Sequence, residues 1–274
     1  MFDIARKALI AALFAGAAGP AFAADPYYPP VEPAPPVVVE PVATFGGWYI
    51  RGDLDYHWSD FRGANYILYD PAGSSNDFDS GDLDGTGSIG LGIGYQINKY
   101  LRADLTGDYW FDADFNGHTS AEDCGNGNPC SSNDSSQMSA FLLLANAYVD
   151  LGTWHGITPY VGAGIGGANV KWDDLKNSID GDVTSHSGGS EWRFAYGLMV
   201  GASYCLTDQL KLDAGYRFSQ IDGGKMFGYN NGAGPGYDKG FYTNEIRAGL
   251  RYQFGPSGCA APVVAYEPEP IYTK

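Results

Sequence analysis

The sequence predicts an all-β fold: an eight-stranded antiparallel up-and-down transmembrane β-barrel with short periplasmic turns and long external loops. Three observations predict it. The composition favours strands and turns, bulky apolar residues recur at every second position in eight segments, and the connections between those segments alternate between short and long. The 274 residues include 39 Gly and 20 Tyr, and aromatic residues make up 15%; strands and turns accommodate such a mixture better than packed helices do. Lys plus Arg number 16 against 32 Asp plus Glu, a formal charge of −16, so the chain repels phosphate backbones and no nucleic-acid partner is expected.

Residues 1–23 read as a secretory signal peptide. Arg6 and Lys7 form its basic start, Ala8 to Ala18 its apolar core, and Ala21-Phe22-Ala23 a small-x-small cleavage site. Residues 24–45 are a Pro-rich periplasmic spacer, because proline at that density forbids ladder pairing and favours extended polyproline II structure. The barrel is assigned to residues 46–254, and residues 255–274 form a second Pro-rich tail.

Within the barrel, the first run places Trp48, Ile50, Leu54, Tyr56 and Trp58 on one face, with Tyr49, Arg51, Asp53, Asp55 and His57 on the other. Ile89 to Tyr95 alternate with glycines. Leu101, Ala103, Leu105, Tyr109 and Phe111 stand opposite Arg102, Asp104 and Asp108, with Trp110 an exception on the polar side. Phe141 to Leu151 oppose Asn146, Tyr148 and Asp150, and a less regular fifth run opposes Val161, Ala163 and Ile165 to glycines. Three clean runs follow: Trp192 to Tyr204, Leu210 to Phe218, and Ile246 to Phe254. Each approaches the roughly 9 to 11 residues that a tilted strand needs to cross a bilayer. Asn98-Lys99, Gly152 to Gly156 and Thr207-Asp208-Gln209 are tight turns, whereas the stretches near 60–84, 112–136, 173–190 and 223–240 read as long loops at the other end.

A soluble barrel would show the same alternation with its apolar face inward. Interior volume separates the two, since eight strands leave room only for side chains, and the Trp, Tyr, Phe and Leu face is too bulky for that space. The apolar set therefore faces lipid, and slipping a strand by one residue would bury charges in the bilayer at roughly 2 to 4 kcal/mol each. The lumen receives Arg51, Arg102, Arg193, Lys211, Arg217, Arg247 and Arg251 against Asp53, Asp55, Asp104, Asp108, Asp150, Glu191, Asp213 and Glu245. Such a near balance reads as a plug of ion pairs, and the alternative is a small porin-like channel lined by the same residues.

Catalytic and metal signatures are weak. His57 with Ser59, and His186 with Ser185 and Ser187, are the candidates for acyl-transfer chemistry, but no motif sets nucleophile, base and acid in reach, so no enzyme is expected. His118, Cys124 and Cys130 suit a disulfide better than zinc in an exported chain. The stretch Asp77 to Asp84 lacks the glycine and closing Glu of a calcium loop and reads as a solvated acidic loop. Neither cofactor nor metal is expected.

The opening Gly46-Gly47-Trp48-Tyr49-Ile50-Arg51-Gly52, the hairpin from Gly90 to Asp104 and the closing strand ending in Phe254 resemble the small eight-stranded outer-membrane barrels of alphaproteobacteria, similar to opacity-type and outer membrane protein A-like barrels. The resemblance spans about residues 44–254. It implies an outer-membrane surface protein with structural or adhesive roles, and an assembly signal at Leu250, Tyr252 and Phe254 read by barrel-assembly machinery. Outer-membrane lipid, lipopolysaccharide, peptidoglycan and a host surface are the implied partners. The topology also selects among the three pairings open to four cysteines: Cys124 with Cys130 on the external side, and Cys205 with Cys259 on the periplasmic side.

Overall fold

The computed structural model describes residues 46–67, 75–121, 128–230, 232 and 234–259. The signal peptide, the spacer up to residue 45, the tail beyond residue 259 and Cys124 lie outside them. The strands are β1 (Gly47–Phe61), β2 (Ala64–Ile67), β3 (Ser75–Asp77), β4 (Ser80–Gln96), β5 (Leu101–Ala121), β6 (Cys130–Asp150), β7 (Ile157–Trp172), β8 (Leu175–Ile179), β9 (Asp182–His186), β10 (Ser190–Cys205), β11 (Leu210–Lys225) and β12 (Gly234–Gln253).

Eight of these close a ring. In order they are β1, β4, β5, β6, β7, β10, β11 and β12, every neighbouring pair is antiparallel, and β12 returns to β1 from Tyr49↔Gln253 to Phe61↔Phe241. Closure removes the sheet edges that a bilayer could not satisfy. Trp48, Leu54, Leu91, Ile165, Leu198, Ile246 and Phe254 are exposed on the outer face, while Arg51, Asp53, Arg102, Asp108, Arg217 and Arg251 are buried within. A band of apolar residues outside and polar residues inside is the arrangement lipid requires.

The periplasmic turns are locally determined. Asn98 Oδ1 accepts the backbone N–H groups of Tyr100 and Leu101 at 2.8 and 3.0 Å, and Thr207 Oγ1 accepts that of Leu210 at 3.0 Å; short side chains of this kind stabilise tight turns. Residues 255–259, the start of the segment that the sequence assigns to the tail, fold back along the barrel end, as the expected pairing of Cys205 with Cys259 requires. Ser257 is buried and donates to the Asp208 carbonyl, and Cys259 is disulfide-bonded to Cys205. That bond ties the segment following β12 to the end of β10, across the foot of β11.

The external end departs from the sequence reading. The stretches near 60–84, 112–136, 173–190 and 223–240, expected as loops, are largely strand. β5 and β6 each have 21 residues. At about 3.3 Å per residue and a tilt near 40°, each rises about 50 Å along the axis, twice the apolar band of about 25 Å. β8 adds to β6 and β9 to β8, while β2 adds to β12 and β3 to β2. The acidic stretch Asp77 to Asp84 is part of this wall: Phe78 and Leu83 point inward, and Asp77 pairs with Lys239.

Inside the raised wall sits an apolar core that includes Phe115, Trp172, Phe227, Phe241, Met138 and Ile221. The volume argument, which assigned the bulky apolar face to lipid along the whole barrel, therefore does not extend to this end. The added strands enlarge the wall, and its outer face meets water, so the interior is where the apolar residues belong. Trp172 makes edge contacts with Phe61, Phe115 and Phe227, at centroid distances of 6.4, 5.2 and 5.4 Å.

Candidate functional site

The lumen is built in rows, because register fixes which inward residues stand side by side. Along β1, β12 and β11 the rows read, from the periplasmic end, Arg51–Arg251–Lys211, Asp53–Gly249–Asp213, Asp55–Arg247–Gly215, His57–Glu245–Arg217, Ser59–Thr243–Ser219 and Phe61–Phe241–Ile221. Opposite charges meet mainly between rows rather than within them. Arg51 Nη2 lies 2.7 Å from Asp53, and Arg251 Nε donates to Asp213 at 3.1 Å. Arg247 reaches four carboxylates, Asp53, Asp55, Asp108 and Glu245, at 3.3, 3.4, 3.1 and 3.3 Å. Arg217 donates to Asp108 at 2.6 Å and to Glu245 at 2.8 Å. Asp104 accepts from Tyr49 at 3.0 Å and Asn146 at 2.8 Å, and Arg51 lies 3.4 Å from it.

Glycine on the facing strands makes room for these long side chains. A Cβ on Gly90 would come within 2.1 Å of Asp108 Oδ1, one on Gly94 within 2.3 Å of the Tyr49 ring, and one on Gly249 within 2.2 Å of Asp53 Oδ1. Nearer the periplasm, Arg102 donates to Asp150 at 3.0 Å while its guanidinium lies over the rings of Tyr148 and Tyr160, at 3.9 and 4.5 Å. The lumen is thus filled by its own side chains.

The sequence-selected lumen residues fall into four groups. Arg51, Asp53, Asp55, Arg102, Asp104, Asp108, Asp150, Asp213, Arg217, Glu245, Arg247 and Arg251 are buried and ion-paired. Arg193 is buried too, but its partner is Asp238 at 2.8 Å, a residue that lay in a presumed loop and so escaped the sequence reading. Lys211 is buried with no ion pair among the described residues. Glu191 departs from expectation: it is exposed near the external start of β10 and accepts the Lys225 backbone N–H at 2.8 Å. At that height the wall opens to water, so a carboxylate can stay solvated.

The serine and histidine candidates make the following contacts among the described residues. His57 stacks on Trp110 at 4.2 Å between centroids, while Ser59 Oγ lies 2.8 Å from Thr243 Oγ1. His186 is buried, with Nδ1 3.3 Å from the Gly228 carbonyl. His118 Nδ1 lies 3.3 Å from Asn133 Oδ1, and among the described residues no group of three His, Cys, Asp or Glu could hold a metal ion. Leu250, Tyr252 and Phe254 line up on the outer face of the closing strand, with Phe254 N–H donating to the Trp48 carbonyl at 2.9 Å across the seam.

The external half has its own polar chemistry. Asp134 is buried in β6 and accepts from Asn177 at 2.6 Å and Ser132 at 3.1 Å; burial outweighs those bonds and raises its carboxyl above the usual range. Outside, Asp77, Asp79, Asp82, Asp84, Asp112, Asp114 and Asp174 are exposed.

Comparison with known proteins agrees with this architecture. Residues 9–254 match the family model described as "Outer membrane protein beta-barrel domain". An uncharacterised Brucella abortus protein is 38% identical over 280 residues, covering 90% of this chain and 95% of that one. Outer membrane protein PagN of Salmonella typhimurium is 29% identical over 60% of this chain and 72% of its own length. Among solved structures, Neisserial surface protein A aligns over 76% of this chain and 97% of its own, with 20% identity and a TM-score of 0.41. With its family model spanning the barrel, the chain belongs to the outer-membrane β-barrel protein family and is an integral protein of the cell outer membrane.

Proposed function

We propose that this is a non-enzymatic outer-membrane surface protein that contributes to envelope structure and makes surface contacts, adhesion or host contact among them, through its acidic external half. The observation that carries this reading is the raised external wall, a sheeted body with an aromatic core and exposed carboxylates. A body of that kind presents a fixed surface rather than a set of mobile loops. The similarity to PagN, and to a candidate adhesin of Rickettsia bellii at 31% identity over 59% of this chain, supports the same reading. The filled lumen favours it over a small channel for ions or solutes.

Outer-membrane lipid and lipopolysaccharide surround the barrel in this proposal. Barrel-assembly machinery inserts it through the closing strand, and peptidoglycan is a further partner in this proposal. Binding of labelled purified protein to host cells and to isolated peptidoglycan tests it. We expect saturable cell binding that is lost when β8 and β9 are replaced by a short turn and retained when the tail beyond residue 259 is removed. Cell binding no greater than that of an unrelated barrel of equal charge would overturn the adhesive role.

A further inference from the structure

We propose that the outer face of β5, β6, β8 and β9, on the external half, binds a terminal sugar that carries one carboxylate, presented by a glycan of the host cell. This rests on the adhesive reading above and gives it a site and a ligand class.

Register sets two outward rows side by side across these strands. Asn116, Ser135, Lys176 and Ser185 form one row, and His118, Asn133, Ser178 and Val183 form the next. A depression of about 420 Å³ lies over them, lined by all of these residues except His118 and Ser185, together with Gly117 and Asp134. That volume is near the lower end of the range for small-ligand sites. The Asp134 carboxylate belongs to the opposite face, where Asn177 and Ser132 donate to it. With neighbouring strands about 4.8 Å apart, the four strands span about 14 Å, room for one or two sugar rings.

Two observations point to the ligand. Neither row contains a carboxylate, although the exposed charge of the external half is mostly Asp. The side chains of Asn116, Ser135, Lys176 and Ser178 make no hydrogen bond or ion pair among the described residues. Elsewhere on the outer surface such groups are engaged: Gln137 donates to Asp114 at 2.8 Å, and Lys171 and Lys239 pair with Asp173 and Asp77 at 2.9 Å. Amides and hydroxyls both donate and accept, which matches the hydroxyls of a sugar. The one ammonium, Lys176, fixes one carboxylate by a charge-assisted hydrogen bond. Val183, 65% exposed, offers apolar surface to the C–H face of the ring. Asp82 stands beside Asn116 on β4, Asp114 one outward position away on β5, and Asp180 and Asp182 at the β8–β9 turn. This acidic border repels ligands with several negative charges, so charge complementarity selects a singly charged sugar over a sulfated polymer.

The test titrates full-length purified protein, in a zwitterionic detergent without sugar headgroups, with the methyl glycosides of N-acetylneuraminate and glucuronate, followed by ligand-observed NMR. At least one should bind saturably. Lys176→Met should weaken that binding about tenfold, as expected for loss of one charge-assisted hydrogen bond. Asn116→Asp, which sets a carboxylate into the row, should abolish it, and Lys239→Met should leave it unchanged. All three replace exposed side chains, and heat-resistant migration on detergent gels checks that each variant is folded. Binding of neither glycoside, equal binding of uncharged methyl galactoside, tighter binding of a heparin oligosaccharide, or binding indifferent to Lys176→Met overturns the site. Host-cell binding separates this site from the adhesive reading. It should fall with Lys176→Met and with enzymatic removal of acidic terminal sugars from the cells. Sugar binding without cell binding would sink the adhesive reading alone, and cell binding without sugar binding would sink the site alone. Cell binding that Lys176→Met abolishes but removal of the acidic sugars does not would assign the face to a protein partner and overturn the proposal.

Discussion

The two halves of this barrel solve opposite problems with the same strands. Below the row Ser59–Thr243–Ser219 the outer face meets lipid and the interior is charged; above it the outer face meets water and the interior is aromatic. β1 makes the exchange without changing phase. Outward it runs through Leu54, Tyr56 and Trp58 to Asp60, and inward through Asp53, Asp55 and His57 to Phe61. β5 makes it through a bulge between Trp110 and Ala113, after which Asp112 and Asp114 face out and Ala113 and Phe115 face in. Bulges of this kind re-aim side chains where a strand passes between environments. The solvent outside sets which chemistry fills the inside.

The largest expected effect comes from the charged half. Arg247→Ala leaves four carboxylates without their shared guanidinium, and breaking a buried ion network costs about 3 to 5 kcal/mol. Urea unfolding of folded protein in micelles should show that loss. Planar bilayers should show a steady leak, where the unmodified protein gives at most small, rare openings. A large, steady conductance from the unmodified protein would contradict the filled lumen.

Trp172→Ala should cost nearly as much, about 3 to 4 kcal/mol, because it opens a cavity among Phe61, Phe115 and Phe227. The symptom should differ. Protease should cut the external half first, while the membrane-embedded band keeps its heat-resistant migration on detergent gels and the bilayer leak stays absent. A leak equal to that of Arg247→Ala would mean that the two halves do not fail separately.

How much of this contrast was legible in the sequence follows from which face carries the simple signal. The lipid face was readable because its apolar residues are exposed at every second position from Trp48 to Trp58 and from Ile246 to Phe254, and the charged face followed from them. The aromatic half was not readable. Its inward residues, such as Phe78, Phe115 and Phe241, are embedded in Asp, Asn, Ser and Gly, which locally signal turns. The alternation of Ala113, Phe115 and Gly117 against Asp112, Asp114 and Asn116 was present but inverted relative to the lipid face. Strand pairing outweighed local turn preference because both faces found the environment they required. Asp238 was missed for the same reason, since its partner Arg193 lies 45 residues away and only the barrel brings them together.

A smaller effect is expected at the periplasmic rim. Cys259→Ser opens a bond that spans a sequence separation of 54 residues, and loss of a native disulfide costs about 2 to 4 kcal/mol where it constrains the unfolded chain fully. Here Tyr252 OH donates to Gln209 Oε1 at 2.9 Å, and Gln253 N–H donates to the Gln209 carbonyl at the same distance. The closing strand thus stays attached when the bond is cut, so the loss should lie at the lower end of that range. Non-reducing peptide mapping checks the connectivity: a peptide joining Cys130 to Cys205 or Cys259 would place a bond across the membrane and contradict the topology.

The smallest effect isolates environment from geometry. Lys239 and Asp77 pair at 2.9 Å on the external surface, with side chains 46% and 66% exposed. Arg217 and Glu245 pair at 2.8 Å inside, with side chains 0% and 1% exposed. The two contacts are nearly the same length and of opposite consequence, because water solvates the first pair whether or not it forms, whereas removing Arg217 leaves two buried carboxylates, Asp108 and Glu245, with Arg247 as their one shared cation among the described residues. Lys239→Ala should therefore change stability by less than about 0.5 kcal/mol, and Arg217→Ala by several. Salt sharpens the distinction. Raising ionic strength should erase the small Lys239 effect by screening and leave the Arg217 effect standing. Equal losses for the two variants, or equal salt dependence, would show that the lumen is solvated and that its ion pairs behave like those on the surface.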